Sequence, residues 1–83
     1  MNPWSVLLSR GMPLRFTSHA RARMTERGIT TEEVTTALRA GVATRQVLRQ
    51  QVDHEGVTVI VRLAMRYVQV VTVYRTPGAA DEV

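Results

Sequence analysis

The chain has 83 residues, a formal charge of +4 and no cysteine. That length holds one compact domain and excludes a second core. The missing thiols exclude a disulfide frame or a thiolate metal site, and they suit a reducing cytoplasm. An apolar fraction of 45% belongs to a folded chain rather than a disordered one. No apolar run approaches the ~20 residues of a membrane span.

All eleven basic residues are arginine. A GC-rich genome accounts for much of that bias. Even so, the guanidinium fork suits phosphate, and a net positive field favours polyanionic partners. Five of the eleven lie between Arg10 and Arg27, where the only acid is Glu26.

The segment 1–11 carries one small apolar cluster, Val6, Leu7 and Leu8, with no basic residue before it, which makes a poor signal peptide. Met12-Pro13-Leu14 reads as an alternative start. Residues 1–11 are therefore expected to be a flexible extension, 12–76 the single domain and 77–83 a flexible tail.

Thr17-Ser18 supplies cap hydroxyls for a helix running His19 to Arg27, and Gly28 is placed to end it in a left-handed conformation. Thr30 opens a second helix, with Glu33 three residues on completing a capping box. Glu32 and Glu33 also sit at the positive end of the helix dipole. Val34, Ala37 and Leu38 form its apolar stripe, and Gly41 stops it. The period then changes to two. Thr44 to Val52 reads as a strand, Asp53-His54-Glu55-Gly56 as a four-residue hairpin turn, and Val57 to Ala64 as a β-branched central strand. Met65-Arg66-Tyr67 makes a second reversal into Val68–Arg75, and Thr76-Pro77-Gly78 ends that last strand.

The expected fold is α+β: two N-terminal helices packed on one face of a three-stranded antiparallel sheet. Val57, Val59, Val61 and Leu63 are expected beneath the helices, with Arg62 on the open face. In the last strand two sets compete for the outer face. One is Val68, Val70, Thr72 and Tyr74; the other is Gln69, Val71, Val73 and Arg75.

His19, Arg23 and Arg27 recur at i, i+4 and i+8 and share an arc of roughly 80° on the first helix, beside Glu26. Imidazole titrates near neutrality and can take or give a proton. Arginine holds phosphate and stabilises charge that builds in a transition state. Together these are the parts of a metal-free RNA cleavage site. The competing interpretation is a solvated helix face with weak ion pairs. Arg62, Thr72, Tyr74 and Arg75 are the candidates from the sheet. His54, between Asp53 and Glu55, resembles half a metal site, but two histidines without cysteine favour a polar turn. The second helix begins with acids, which argues against helix-turn-helix binding to DNA.

The stretch Ser18-His19-Ala20-Arg21-Ala22-Arg23-Met24-Thr25-Glu26-Arg27-Gly28-Ile29 resembles the small bacterial domain-of-unknown-function 4258 family. So do Glu33-Val34, Ala37-Leu38 and Gly41 after it, and the closing Val71-Thr72-Val73-Tyr74-Arg75. The similarity spans about residues 14–76. The family looks similar to the RelE-like, barnase–EndoU–colicin group of metal-independent ribonucleases and is associated with toxin modules. The resemblance therefore implies a RelE-like helix-pair-plus-sheet fold and a toxin-like endoribonuclease that needs neither metal nor cofactor. It points to His19, Arg23 and Tyr74 as catalytic and to Arg27, Arg62, Thr72 and Arg75 as substrate-binding. The expected partners are RNA, free or on the ribosome, and an antitoxin protein; no membrane partner is expected, and a homodimer is a further expectation. The alternative is a non-catalytic nucleic-acid- or protein-binding module. Lysine, which several RelE-like toxins use on RNA, is absent here, so Arg62, Arg66 and Arg75 would serve instead.

Overall fold

The computed structural model describes residues 2–45 and 49–75. In chain order the elements are α1 (Pro3–Ser9), β1 (Leu14–Phe16), α2 (Ser18–Arg27), α3 (Thr31–Ala40), β2 (Val42–Arg45), β3 (Gln50–His54), β4 (Val57–Leu63) and β5 (Val68–Arg75). The strands form one sheet in the order β1-β5-β4-β3-β2. β1 lies parallel to β5, and every other pair is antiparallel. The α+β class is as expected, but the described residues form a mixed, five-stranded sheet rather than an antiparallel, three-stranded one, and three helices rather than two.

The caps of α2 and α3 form as their residues dictate. Thr17 caps α2 through Ala20 N–H, and Gly28 ends it at φ 64° in the left-handed region. Thr30 and Glu33 form the reciprocal capping box of α3. Gly41 ends α3 for a different reason: its backbone is extended, with φ −78° and ψ 173°. A Cβ there would lie 2.7 Å from both the Asp53 carbonyl oxygen and Val52 Cγ1, and it would also meet the Ala37 carbonyl oxygen. Gly41 is required for space, not for a special dihedral angle.

Pro3–Ser9 correct the expectation of a flexible extension over 1–11. Asn2 caps α1 by accepting from Ser5 N–H at 2.9 Å, and its own amide donates to the Gly41 carbonyl at 2.8 Å. Trp4 is only 4% exposed, and its indole N–H donates to Gln50 Oε1 at 2.8 Å. A seven-residue helix is too short to display a 3.6-residue period, which is why the pattern hid it. The expected tail, 77–83, lies outside the described residues.

Two other expectations are corrected. The strand expected over Thr44–Val52 is two strands, β2 and β3, whose pairs run from Val42–Asp53 to Arg45–Gln50. Val47 and Leu48 lie outside the described residues. The turn expected over Asp53–Gly56 narrows to Glu55-Gly56, because Asp53 and His54 remain in β3. Both turn residues have positive φ, 46° and 84°, the backbone that lets a two-residue hairpin follow the twist of its strands.

All the described helices pack on one face of the sheet. α3 buries Val34, Ala37 and Leu38 against β3 and β4, and α2 buries Ala20 and Met24 against β5. Val52, Val57, Val59, Val61, Val68, Val70 and Val73 supply the sheet side of the core. Leu63, expected beneath the helices, is 57% exposed because it lies past the covered part of β4.

Neither expected alternative for the last strand holds. Val61 pairs with Val70 but Ile60 pairs with Thr72, so Val71 is an extra residue, a β-bulge. The bulge resets the alternation. Val68, Val70 and Val73 all reach the core, while Gln69, Thr72 and Tyr74 share the opposite face. Thr17 fastens this point: its N–H donates to the Val70 carbonyl at 3.1 Å and its hydroxyl donates to the Val71 carbonyl at 2.7 Å.

Replacing Trp4 by Ala is expected to cost about 3–5 kcal/mol in urea unfolding, the range for a buried aromatic, whereas loss of an appendage would cost nothing. Thr17→Val, which removes both the cap and the clamp on Val71, is expected to cost about 1–2 kcal/mol, with Thr17→Ser recovering most of it.

Candidate nucleic-acid interface

The open face of the sheet is built in three cross-strand rows. At one end Arg15 of β1 stands opposite Gln69 of β5, and Gln69 opposite Arg62 of β4. In the middle row Thr72 pairs with Ile60, Ile60 with Gln51 and Gln51 with Thr44. At the other end Tyr74 pairs with Thr58, Thr58 with Asp53 and Asp53 with Val42.

The first row is cationic. The exposed Arg15 places its guanidinium 5.3 Å from the centre of the Tyr67 ring, a cation–π contact. Arg62 is exposed and forms no ion pair among the described residues, and neither does the exposed Arg66 in the β4–β5 turn. The third row is neutral to acidic. Asp53 accepts from the Thr58 hydroxyl at 2.5 Å, and the Gln51 amide donates to both its oxygens at 3.2 and 3.0 Å.

Of the residues singled out from the sequence, Arg62, Thr72 and Tyr74 are brought onto this one face. His19, Arg23 and Arg27 are not joined to them: among the described residues no hydrogen bond, ion pair or ring contact links the two groups. His19 is exposed in the first turn of α2. It lies two residues beyond Thr17, whose bonds to Val70 and Val71 hold that turn at the bulge. Arg15 lies two residues before the same clamp. Arg23 is bonded to both Glu26 carboxylate oxygens at 2.9 Å, an exposed pair of modest worth.

Arg75 is engaged structurally. It pairs with Glu33 at 3.2 Å and donates to the carbonyls of Arg27 and Gly28 at 3.3 and 3.4 Å. It thereby joins the end of β5 to the C-terminus of α2 and the start of α3, where a cation also complements the exposed helix carbonyls.

Sequence reasoning missed Arg15 and Gln69. Arg15 sits in a three-residue strand whose period cannot show, and Gln69 was left ambiguous by the bulge. At the far end of the molecule a shallow cavity of about 210 Å³ is lined by Glu32, Glu33, Thr36, His54, Glu55 and Val57. The His54 imidazole stands 3.7 Å from Glu55. No group of three or more His, Cys, Asp or Glu side chains among the described residues is arranged to hold a metal. No described helix is long and apolar enough to cross a membrane.

The geometry defines a small α+β domain with helices on one sheet face and, on the other, a mainly polar, partly cationic face in which Thr58 and Ile60 are buried. The chain belongs to the family described as Domain of unknown function (DUF4258), whose model matches residues 16–75. No curated protein and no solved structure matches it significantly.

Glu33 has a carboxyl held below its ordinary value of 4.5, first by the hydrogen bond from the Thr30 N–H and further by Arg75, with desolvation opposing. A carboxyl lowered by folding contributes stability above its unfolded pKa and loses it as pH falls through the folded value. Glu33→Gln keeps an acceptor for Thr30 but no charge for Arg75. It is expected to flatten the acid limb of a plot of urea midpoint against pH, between neutrality and about pH 3.

Proposed function

We propose that the domain engages RNA on the open face of its sheet and cleaves it in the manner of a metal-independent, toxin-like ribonuclease. The observation that carries this reading is the Arg15–Gln69–Arg62 row: two guanidinium groups flank an amide, with no carboxylate paired to either among the described residues. Such a row suits a phosphodiester, because arginine presents a planar fork matched to phosphate oxygens.

In the cleavage step the RNA 2′-hydroxyl attacks the adjacent phosphorus. A base takes the hydroxyl proton, and an acid protonates the departing 5′-oxygen, so a cyclic phosphate and a free 5′-hydroxyl result. His19 supplies one of these proton transfers. Arg62, with Arg15, carries the charge of the phosphorane, and Thr72 and Tyr74 orient the strand. The natural setting of this chemistry is the cytoplasm, on free or ribosome-bound RNA, with an antitoxin protein to restrain it.

A second reading, RNA binding without cleavage, is favoured by one observation. His19 is exposed and makes no side-chain hydrogen bond among the described residues that would set its tautomer.

Purified protein incubated with labelled RNA separates the two. Under the first reading the native chain cleaves, and His19→Ala lowers the rate by about 10²–10⁴ while binding persists. Arg62→Ala weakens binding and reduces the slope of log K against log salt by about 0.7. Salt-dependent binding with no cleavage supports the second reading. No binding overturns both.

A further inference from the structure

The open face changes character along β4 and β5. Arg62 and Thr58 are four residues apart on one strand, about 13 Å at the usual rise. That span exceeds one nucleotide step, so a phosphate held by Arg62 and a group held beside Thr58 belong to different parts of a strand. The Asp53 carboxylate repels phosphate at its own end. What can be accommodated there is a base.

The side chains at that end suit one. The hydroxyls of Thr72 and Tyr74 form no hydrogen bond among the described residues, although both residues are half-buried. The Tyr74 ring offers a surface against which a base can lie. Asp53 Oδ1 already accepts from Thr58 and Gln51, and among the described residues Oδ2 accepts only from the Gln51 amide. A carboxylate has about four acceptor positions, so Oδ2 retains one. The Thr58 and Gln51 bonds hold the carboxylate in place, and Thr58, fully buried, cannot swing away.

Resting on the RNA reading above, we infer that Asp53, Thr72 and Tyr74 form a nucleobase subsite selective for a base that presents an exocyclic amine, cytosine over uracil. Cytosine offers its N4 amino group to the free acceptor position of Asp53. Uracil presents a carbonyl oxygen at the same place, and the carboxylate repels it. The basic row supplies affinity that is blind to sequence, and the Asp53 row supplies discrimination.

The test is fluorescence anisotropy with short oligocytidylate and oligouridylate strands. The native chain is expected to bind oligocytidylate about tenfold more tightly. Asp53→Asn levels the two affinities, and circular dichroism reports whether the variant is folded. Tyr74→Ala weakens both strands several-fold without changing the salt slope. Arg62→Ala weakens both equally, lowers the slope and leaves the preference intact. Equal affinity of the native chain for both strands overturns the subsite while leaving RNA binding standing. A preference that survives in folded Asp53→Asn, or no effect of Tyr74→Ala on either strand, also overturns it. Failure of the native chain to bind either strand overturns the RNA reading and the subsite with it.

Discussion

Thr17 makes three hydrogen bonds that the rest of the architecture depends on. Its hydroxyl oxygen accepts from Ala20 N–H to start α2, while its hydroxyl and N–H donate to the carbonyls of Val71 and Val70. A bulge leaves backbone groups without ladder partners, and a buried carbonyl left that way costs more than the bond itself contributes. One residue, through its N–H and its hydroxyl, thus satisfies the bulge, ends β1 and begins α2. It also fixes where α2 lies along β5. The place of Thr72 and Tyr74 on the open face follows from the bulge, because without the extra residue they would turn toward the core and Val73 toward solvent.

The two faces of the sheet answer to different demands. On the helix side, seven valines pack against Val34, Leu38, Met24 and Trp4, and small residues such as Ala20 and Ala37 let the helices approach closely. On the other side the chain keeps arginine, glutamine, threonine, tyrosine and one aspartate around a buried Ile60, with an exposed Val42 at the edge. Even there the polar groups are not loose: Gln51, Asp53 and Thr58 are tied together, so this face is a shaped surface rather than a merely hydrated one. Arg75 and Glu33 do comparable work at the end of the molecule, where they join β5 to both long helices.

The candidate site was only half legible beforehand. The helical face of His19, Arg23 and Arg27 is plain from spacing, but spacing does not say what a helix face meets. Arg23 turns to Glu26, and Arg75 turns to Glu33 and helix carbonyls. The cationic pair that does share a surface, Arg15 and Arg62, is 47 residues apart in sequence and comes together only because β1 returns parallel to β5. No periodicity reports a parallel pairing, since the signal lies in the partner strand and not in the segment itself.

The amino-acid sequence by itself determined the α+β class, the caps of α2 and α3 and their apolar stripes, the β-branched central strand and the family. These are local properties, settled by side chains within a turn or two of one another. The tertiary structure alone decided that α1 and β1 belong to the core and the sheet, that the segment after Gly41 is two strands, and that Val71 is a bulge. Short elements acquire their stability from distant partners, and a bulge exists only relative to the strand beside it. For that reason the face that carries Arg62, Thr72 and Tyr74 together is a property of the fold rather than of any one segment.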